Sequence, residues 1–314
     1  MSTSRKFALI VGTSDYDDPT LAKLKTPDAD VRALAEILRD PAIGGFDSVT
    51  TLVNQLESDV SRSIESFFAQ KKPDDLLLLY FSGHGVLDDR GRLYLAVKDT
   101  KRELLKSTAI AAAFVTGEMD SCRSKRQVLI LDCCHSGAFE RGAKGDMQAV
   151  NEATFEGNGY GRIVLTASDS TQYALEGDQV IAQAELSLFT HFLIQGLQTG
   201  EADTDGDGRI TLDELYEYVH TQVLNQTRKQ TPQKWGYKLQ GELLIAMNPH
   251  PQKVKVGELP VDLRQAIESP FAGIRAGVVD ELRRLLSGSD EAIALAAREA
   301  LLRLQADDSR KVSE

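Results

Sequence analysis

Two short segments of the sequence carry side chains suited to acyl transfer. LILDCCHSG, at residues 129–137, places Cys133 and Cys134 directly after an aliphatic run, and YFSGHG, at residues 80–85, places His84 between two glycines. A thiol is mostly protonated at neutral pH, and an imidazole beside it raises the thiolate fraction or delivers a proton to a leaving amine. A cysteine and a histidine brought together are therefore sufficient for nucleophilic attack on an amide.

Six short aliphatic runs, with helical segments between them, predict the elements that hold these side chains. The runs are residues 7–11, 49–53, 76–81, 128–131, 163–166 and 243–246. Continuous runs of this kind are typical of strands buried on both faces, so we expect an α/β fold with a mainly parallel six-stranded sheet flanked by helices. Ligands bind at the carboxyl ends of such strands. His84 and Cys134 each follow the end of a run, so both are expected at one edge of the sheet.

One crossover helix is predicted from its own start signals. In TPDADVRALAEILRD, residues 26–40, Thr26 is suited to the N-cap and Pro27 to the first helical position. Acidic residues occupy the first turn, and apolar residues recur at helical spacing. The sequence assigns this helix no role beyond connecting two strands.

The strand pattern stops near residues 248–252, which predicts two domains, residues 1–249 and 250–314. Within the second, IRAGVVDELRRL (274–285) and IALAAREALLRL (293–304) repeat with a shift of 19 residues. Amphipathic helices packed side by side in this way resemble a small all-helical, HEAT-like unit. Two interpretations stay open: the helices cap the sheet domain, or they form a docking surface for a protein partner.

The two reactive segments resemble the motifs of caspase-like cysteine peptidases, specifically the metacaspases and bacterial orthocaspases. The family's histidine motif is S-G-H-G and its cysteine motif is D-x-C-H-S-G; this chain matches both, and the likeness extends over residues 5–248. The resemblance implies that Cys134 is the nucleophile and that His84, 50 residues upstream, is its partner. It also implies an oxyanion hole formed by the backbone N–H groups of Gly85 and Cys134. Cys133 falls at the variable position and is expected to pack as a small apolar residue.

The same resemblance implies cleavage after arginine or lysine. A buried guanidinium needs carboxylate partners and hydrogen bonds, and three residues match the family's pocket positions: Asp30, Ser82 and Asp132. Around Asp30 the chain has TPDADV where the family has G-C-x-N-D, so Thr26 and Pro27 replace the glycine and the cysteine. The alternative for each pocket residue is structural, namely a solvated helix acid, a turn hydroxyl and a loop cap.

The segment DTDGDGRITLDE, residues 203–214, matches the twelve-residue loop of an EF-hand. Its oxygen donors have the spacing that surrounds Ca²⁺, its sixth-position glycine permits the sharp turn, and its last glutamate binds through two oxygens. The predicted ligands are Asp203, Asp205, Asp207, the Arg209 carbonyl, Thr211 and Glu214. Gly200 precedes the loop and is expected to end the entering helix early. The alternative is an acidic turn without an ion; a bound calcium is expected to be structural, regulatory or both.

Composition limits the remaining function classes. With a net charge of −11 at pH 7, the chain lacks the clustered Lys and Arg that nucleic acids and anionic membranes attract, so neither is expected as a partner. A protein or peptide substrate with a basic residue is compatible with this charge. The start, MSTSRKFALIVGTSDYD, has an apolar run of five residues, too short for a signal-peptide core. We therefore expect a cytoplasmic protein whose three cysteines are thiols.

The leading interpretation is thus a cytoplasmic cysteine endopeptidase specific for Arg or Lys. An alternative within the same enzyme class is a peptidase that prefers aspartate. The polar, Gly-rich segment 139–162 offers Arg141, Lys144 and Arg162 as self-cleavage sites, or is an uncut loop. The alternative function is a catalytically silent caspase-like scaffold that binds a partner through its helical tail and senses calcium through its loop. The intact pair of reactive residues counts against the scaffold.

Overall fold

The structure of the chain is a computed structural model, which describes residues 4–135, 161–167, 186–227, 230–237, 242–251, 257–288 and 291–305. The chain forms two units, Met1–Pro251 and Gln252–Glu314, each with an apolar core of its own. The boundary predicted from the sequence lies between residues 249 and 250.

The first unit is built around a mainly parallel sheet, as predicted. In chain order its strands are β1 (Lys6–Gly12), β2 (Ser48–Val53), β3 (Leu76–Leu87), β4 (Leu93–Leu95), β5 (Ile110–Ala111), β6 (Arg126–His135), β7 (Arg162–Thr166), β8 (Arg209–Thr211), β9 (Gln233–Tyr237) and β10 (Leu244–Met247). Its helices are α1 (Pro27–Arg39), α2 (Glu57–Phe68), α3 (Leu105–Thr108), α4 (Ala112–Ser121), α5 (Leu188–Thr199) and α6 (Leu212–Gln226), with a 3₁₀ turn at Arg102–Leu104. The central strands lie in the order β2-β1-β3-β6-β7-β9, and only the pair β7–β9 within this order is antiparallel.

The prediction for the sixth strand of this sheet is wrong. The run at residues 243–246 lies mainly in β10, which pairs with β8 in a separate two-stranded sheet. The sixth position is occupied by β9, whose sequence QKWGY buries Trp235 and exposes Gly236. A terminal antiparallel strand needs one buried face at most, so β9 has no continuous aliphatic run.

Strand β2 also differs from the expectation of burial on both faces. Its Ser48, Thr50 and Thr51 are exposed. Because β2 is the terminal strand at the opposite side of the order, it has a strand neighbour on one side only among the described residues. The aliphatic run predicted the strand correctly but not its degree of burial.

Helices cover both faces of the sheet. Alternate residues of β1 enter different apolar clusters: Ala8 and Ile10 pack with residues of α1, α5 and α6, whereas Leu9 and Val11 pack with residues of α2 and α4. This alternation follows from the two-residue period of a strand. Each fully buried leucine or isoleucine contributes roughly 1.5–3 kcal/mol, so these two clusters fix the framework from which the loops at the strand ends project.

Helix α1 begins where the sequence predicts, with Thr26 as N-cap and Pro27 as its first residue. The Thr26 side chain makes no capping hydrogen bond, and it helps to lower the pKa of the nearby Asp30 carboxyl. The side chain of Asp30 is fully buried, at 0% exposure. The alternative of a solvated helix acid is therefore wrong, and a helix predicted only as a connection carries a carboxylate into the protein.

The second unit is helical in its described part, as predicted. Its helices are α7 (Val261–Ile267), α8 (Ala272–Gly277), α9 (Val279–Leu286) and α10 (Glu291–Gln305). Leu282 and Leu304, one from each sequence repeat, are buried in its core with alanines of α10. No helix of either unit, within the ranges given above, has both the length and the apolar character needed to cross a lipid bilayer.

Candidate active site

The two reactive segments meet at the same level of neighbouring parallel strands. In the pairing of β3 with β6, Ser82 is in register with Asp132, and His84 is in register with Cys134. The next residue, Gly85, pairs with His135 of β6 and with Leu95 of β4. The structure describes Cys134 through its backbone, and its thiol lies outside the described part of the chain. The register places both predicted partners at one edge of the sheet.

His84 is oriented by a carbonyl that the sequence did not identify. Its Nε2 lies 2.8 Å from the backbone oxygen of Ala22. A carbonyl only accepts, so we assign the proton to Nε2, which leaves Nδ1 as the acceptor nitrogen. Burial lowers the pKa of His84, and the nearby charge of Arg102 lowers it further, while the Ala22 carbonyl opposes both. The imidazole is therefore neutral at neutral pH and able to take a proton.

Tyr16 fixes the backbone of the same histidine. Its hydroxyl accepts from His84 N at 3.0 Å and donates to the Thr13 carbonyl at 2.7 Å. A Cβ at position 83 would lie 3.1 Å from this hydroxyl, which explains the glycine before the histidine. Tyr16 lies in the segment IVGTSDYDD, whose likeness to the family was visible, but its role depends on the folded loop.

Cys133 is buried, as expected for the variable position of the motif. Its exposure is 3%, and it belongs to the apolar cluster that includes Leu131 and Val164. Successive side chains of a strand point to opposite faces of the sheet. Cys133 packs on the face that α2 and α4 cover. This thiol has the surroundings of a core residue.

The three predicted pocket residues lie close together. Ser82 Oγ donates to Asp30 Oδ2 at 3.2 Å, and the backbone N of Ser187 donates to Asp30 Oδ1 at 2.9 Å. The hydroxyl of Ser187 also donates to Asp132 Oδ2. Ser82 and Asp132 are both buried and lie within strands, β3 and β6. The alternatives, a turn hydroxyl for Ser82 and a loop cap for Asp132, therefore do not describe this arrangement. Ser187, the N-cap of α5, connects the two acids and was not predicted.

These two acids hold protons more tightly than ordinary carboxyls. Burial, with the nearby charge of Asp132, raises the pKa of Asp30 to about 8. Burial also raises the pKa of Asp132, and hydrogen bonds from Ser187 and Thr190 oppose the change. No cationic side chain of the described ranges forms an ion pair with either acid. Two neighbouring buried charges without a cation are costly, so a cationic ligand would stabilise this site.

The loop at residues 203–214 brings together three of its six predicted ligands. Carboxylate oxygens of Asp203, Asp205 and Glu214 lie within 4.8 Å of one another. Asp203 Oδ2 accepts from Gly208 N and from Asn248, whereas its Oδ1 is buried without a hydrogen-bond partner in the described structure. A buried, unsatisfied carboxylate oxygen among hard oxygen donors fits a calcium ion.

The other three predicted ligands have additional roles. Asp207 Oδ1 accepts from Arg209 N at 2.8 Å, and Thr211 forms a capping box with Glu214 at the start of α6.

Helix α5 ends at Thr199, and Gly200 follows with a φ of +79°. The entering helix therefore ends early, as predicted. A Cβ at Gly200 would lie 1.9 Å from the side chain of Asn248, so this position requires glycine.

Arg162 is not available as a self-cleavage site in this structure. Its side chain is 1% exposed and forms an ion pair with Asp120 at 2.5 Å. A protease must reach the peptide bond in an extended, accessible segment, so the prediction for Arg162 is wrong. Arg141 and Lys144 lie outside the described residues.

Comparison with protein families matches residues 5–244 to the caspase domain. Protein GSU0716 from Geobacter sulfurreducens has a similar structure, with 18% identity, a TM-score of 0.54, and coverage of 76% of this chain and 97% of that one. Caspase-1 from Spodoptera frugiperda has 15% identity, a TM-score of 0.55, and coverage of 77% and 90%. Curated protein sequences gave no match. Because the family match runs from β1 to the start of β10 and so includes the whole central sheet, the chain belongs to the caspase-domain family of cysteine peptidases.

Proposed function

We propose that this chain is an endopeptidase that cleaves after arginine or lysine, with Cys134 as nucleophile and His84 as its partner. The observation that carries the proposal is the pair of buried acids, Asp30 of α1 and Asp132 of β6. Asp30 and Asp132 are buried, and their hydrogen-bond partners in the described structure are hydroxyl and amide groups rather than cations. Such a pair suits a guanidinium or ammonium group and repels the carboxylate of an aspartate side chain. An aspartate preference is therefore not proposed.

In the proposed reaction, the Cys134 thiol gives its proton to His84 Nδ1 and attacks the carbonyl carbon of the basic residue. A carbon–sulfur bond forms, and the backbone N–H groups of Gly85 and Cys134 stabilise the negative oxygen. The carbon–nitrogen bond then breaks as the imidazolium protonates the leaving amine, and water hydrolyses the thioester with the same imidazole as base. The Ala22 carbonyl holds the Nε2 proton throughout, so Nδ1 carries every transfer.

A comparison of substrates tests the proposed function. We expect kcat/KM for an arginyl or lysyl fluorogenic peptide to exceed that for the matching aspartyl peptide at least about 100-fold. A citrullyl peptide is the matched control, because it keeps the shape of arginine without its charge, and we expect it to lose about 100-fold. Equal cleavage of arginyl and citrullyl peptides would argue against the acidic pocket, and preferred cleavage of the aspartyl peptide would refute the proposal.

We also propose that the loop at residues 203–214 binds Ca²⁺. Asp203, Asp205 and Glu214 would hold the ion, with Asp207, the Arg209 carbonyl and Thr211 as the remaining donors. A bound cation would neutralise carboxylates that otherwise repel one another. The eighth loop residue, Ile210, pairs with Ala246 of β10. In paired EF-hands the two loops pair with each other at this position, whereas here a strand of the same unit is the partner.

Glu214→Gln tests the calcium proposal. We expect millimolar Ca²⁺ to raise the Tm of the wild type relative to chelator, since an ion at 100 times its Kd adds about 2.7 kcal/mol of stability. Glu214→Gln is expected to weaken binding at least about tenfold, while glutamine can still complete the capping box with Thr211. Asp213→Asn is the matched control, because Asp213 bonds Lys234 on the outside of α6. Calorimetric titration that detects no heat of binding in the wild type would contradict this proposal.

A further inference from the structure

Three hydroxyl groups converge on a single oxygen of Asp132. Thr190 of α5 lies with its Oγ1 2.7 Å from Asp132 Oδ2, and Tyr80 of β3 lies with its hydroxyl 3.3 Å from the same oxygen. Ser187, the N-cap of α5, donates to it as well. Tyr80 and Thr190 are fully buried, at 0% exposure. We call Tyr80, Ser187 and Thr190 the hydroxyl cluster.

The hydroxyl protons of Ser187 and Thr190 point towards the negative charge on Asp132, and the Tyr80 proton points to Thr190. An ionised carboxylate only accepts, so Thr190 donates its one hydroxyl proton to Asp132. It then accepts from the Tyr80 hydroxyl, 2.7 Å away. Ser187 likewise donates its hydroxyl proton to Asp132 and accepts from the backbone N of Thr190 at 3.2 Å. Charge-assisted hydrogen bonds of this kind are about twice as strong as neutral ones.

The same bonds leave one oxygen of Asp132 for a ligand. Within the described ranges, Oδ2 takes all three hydroxyl contacts, and Oδ1 receives none. Ser187 also donates its backbone N–H to Asp30, so the first turn of α5 holds both pocket acids. The hydroxyl cluster therefore tethers one side of the carboxylate and leaves the other side open.

The surroundings of Asp132 otherwise favour its neutral form. The titratable groups that face it in the described structure are Asp30 from α1 and Tyr80 from β3, and α5 contributes hydroxyls only. Burial raises the pKa of Asp132, and the bonds from Ser187 and Thr190 oppose part of that rise, so the pKa stays above its usual value. A neutral acid attracts a guanidinium far less than a carboxylate does. By favouring the carboxylate, the hydroxyl cluster increases the affinity of the site for a basic side chain.

We propose that Thr190, supported by Tyr80 and Ser187, is a specificity-determining positioning residue whose hydroxyl favours the ionised form of Asp132 and presents Oδ1 to the cationic side chain of the substrate. This inference rests on the proposed preference for arginine or lysine. The hydroxyl cluster acts through Asp132 and does not itself contact the substrate.

Thr190→Val tests this role by removing the hydroxyl at nearly constant shape. We expect KM for the arginyl peptide to rise about 10- to 100-fold with a smaller change in kcat. The acidic limb of the pH profile of kcat/KM should move upwards by about one pH unit. Thr190→Ser, the matched control, retains the hydroxyl and should stay within about threefold of the wild type without a shifted limb. A Thr190→Val enzyme with an unshifted limb and an unchanged KM would overturn the inference.

Tyr80→Phe provides a second variant in case valine disturbs folding. It removes one hydroxyl proton and leaves the contact between Thr190 and Asp132, so a smaller shift in the same direction is expected. A shift in the opposite direction, or none, would count against the proton order given above.

Thermal unfolding supplies a readout that needs no cleavage. Donors to Asp132 stabilise its ionised form more than its neutral form, so the Tm deficit of Thr190→Val should grow as rising pH ionises Asp132 in the folded protein. A deficit independent of pH would overturn the positioning role even in an active enzyme that prefers arginine. A growing deficit in a protein that cleaves arginyl and citrullyl peptides equally would support the effect on Asp132 and refute the basic preference. The two failures are therefore distinguishable.

Discussion

Cys134→Ala is expected to lower kcat/KM for an arginyl peptide at least about 10⁴-fold, whereas Cys133→Ala should stay within about threefold of the wild type. Cys134 is in register with His84 across β3 and β6, and a thiolate formed there has an imidazole to take its proton. Cys133 is buried in the apolar cluster on the other face of the strand. Its replacement leaves a small cavity and is expected to cost about 1 kcal/mol of stability.

The two cysteine variants control for each other, because both remove one thiol from the same strand. The measurement is cleavage of the fluorogenic arginyl peptide, accompanied by Tm to verify folding. A thiol-reactive arginyl probe should label Cys134 in the wild type, and peptide mapping would identify the labelled residue. Equal loss of activity in both variants, or label on Cys133, would contradict the assignment of the nucleophile. No label on either cysteine, with and without Ca²⁺, would favour the silent scaffold.

Asp30→Asn is expected to separate activity from stability. The change removes a carboxyl that a bound basic side chain would ionise, so kcat/KM for the arginyl peptide should fall about 100-fold or more, mainly through KM. The asparagine carbonyl can still accept from the backbone N of Ser187, and the hydroxyl of Ser82 can rotate to accept from the new amide. The fold should therefore tolerate the substitution, and above neutral pH the variant should be more stable than the wild type.

The sign of the stability change follows from the pKa of Asp30. Burial and the charge of Asp132 raise this pKa to about 8 in the folded protein, against roughly 4 in an unfolded chain. Between these values folding takes up a proton, so the contribution of Asp30 to the free energy of unfolding falls as pH rises. Asparagine is neutral at every pH. The Tm difference between variant and wild type should thus be least near about pH 4 and grow in favour of the variant towards about pH 8.

Calorimetry at several pH values between these limits tests the prediction for Asp30. Glu36→Gln is the matched control, because Glu36 lies on the exposed side of the same helix, α1. It should change neither the activity nor the pH dependence of Tm. A variant Asp30→Asn that is less stable than the wild type at pH 8 would contradict a raised pKa, and one with full activity would exclude Asp30 from the pocket.

Contiguous patterns in the sequence determined the chemistry available to this protein. The histidine segment, the cysteine segment and the loop at residues 203–214 each carry their reactive groups within a dozen residues, so their types and spacing are visible without a fold. Five aliphatic runs also predicted strands of the central sheet. Four of these strands, β1, β3, β6 and β7, are largely buried, which requires an apolar stretch, whereas β2 is partly exposed. Helix α1 was located by its own start signals, although the Thr26 side chain forms no capping hydrogen bond.

Tertiary structure alone decided which distant groups complete the site. Ser187 reaches Asp30 across 157 positions of the chain, and Tyr16 reaches His84 across 68. Strand β9 was missed for a related reason: at the end of the strand order, with Trp235 as the one buried side chain among those described for it, it has no local signature. Periodicity reports which residues face the core of their own element, but it contains no information on how α5 or the loop after β1 packs against the strand ends. The partners that orient His84 and the two acids arise from that packing.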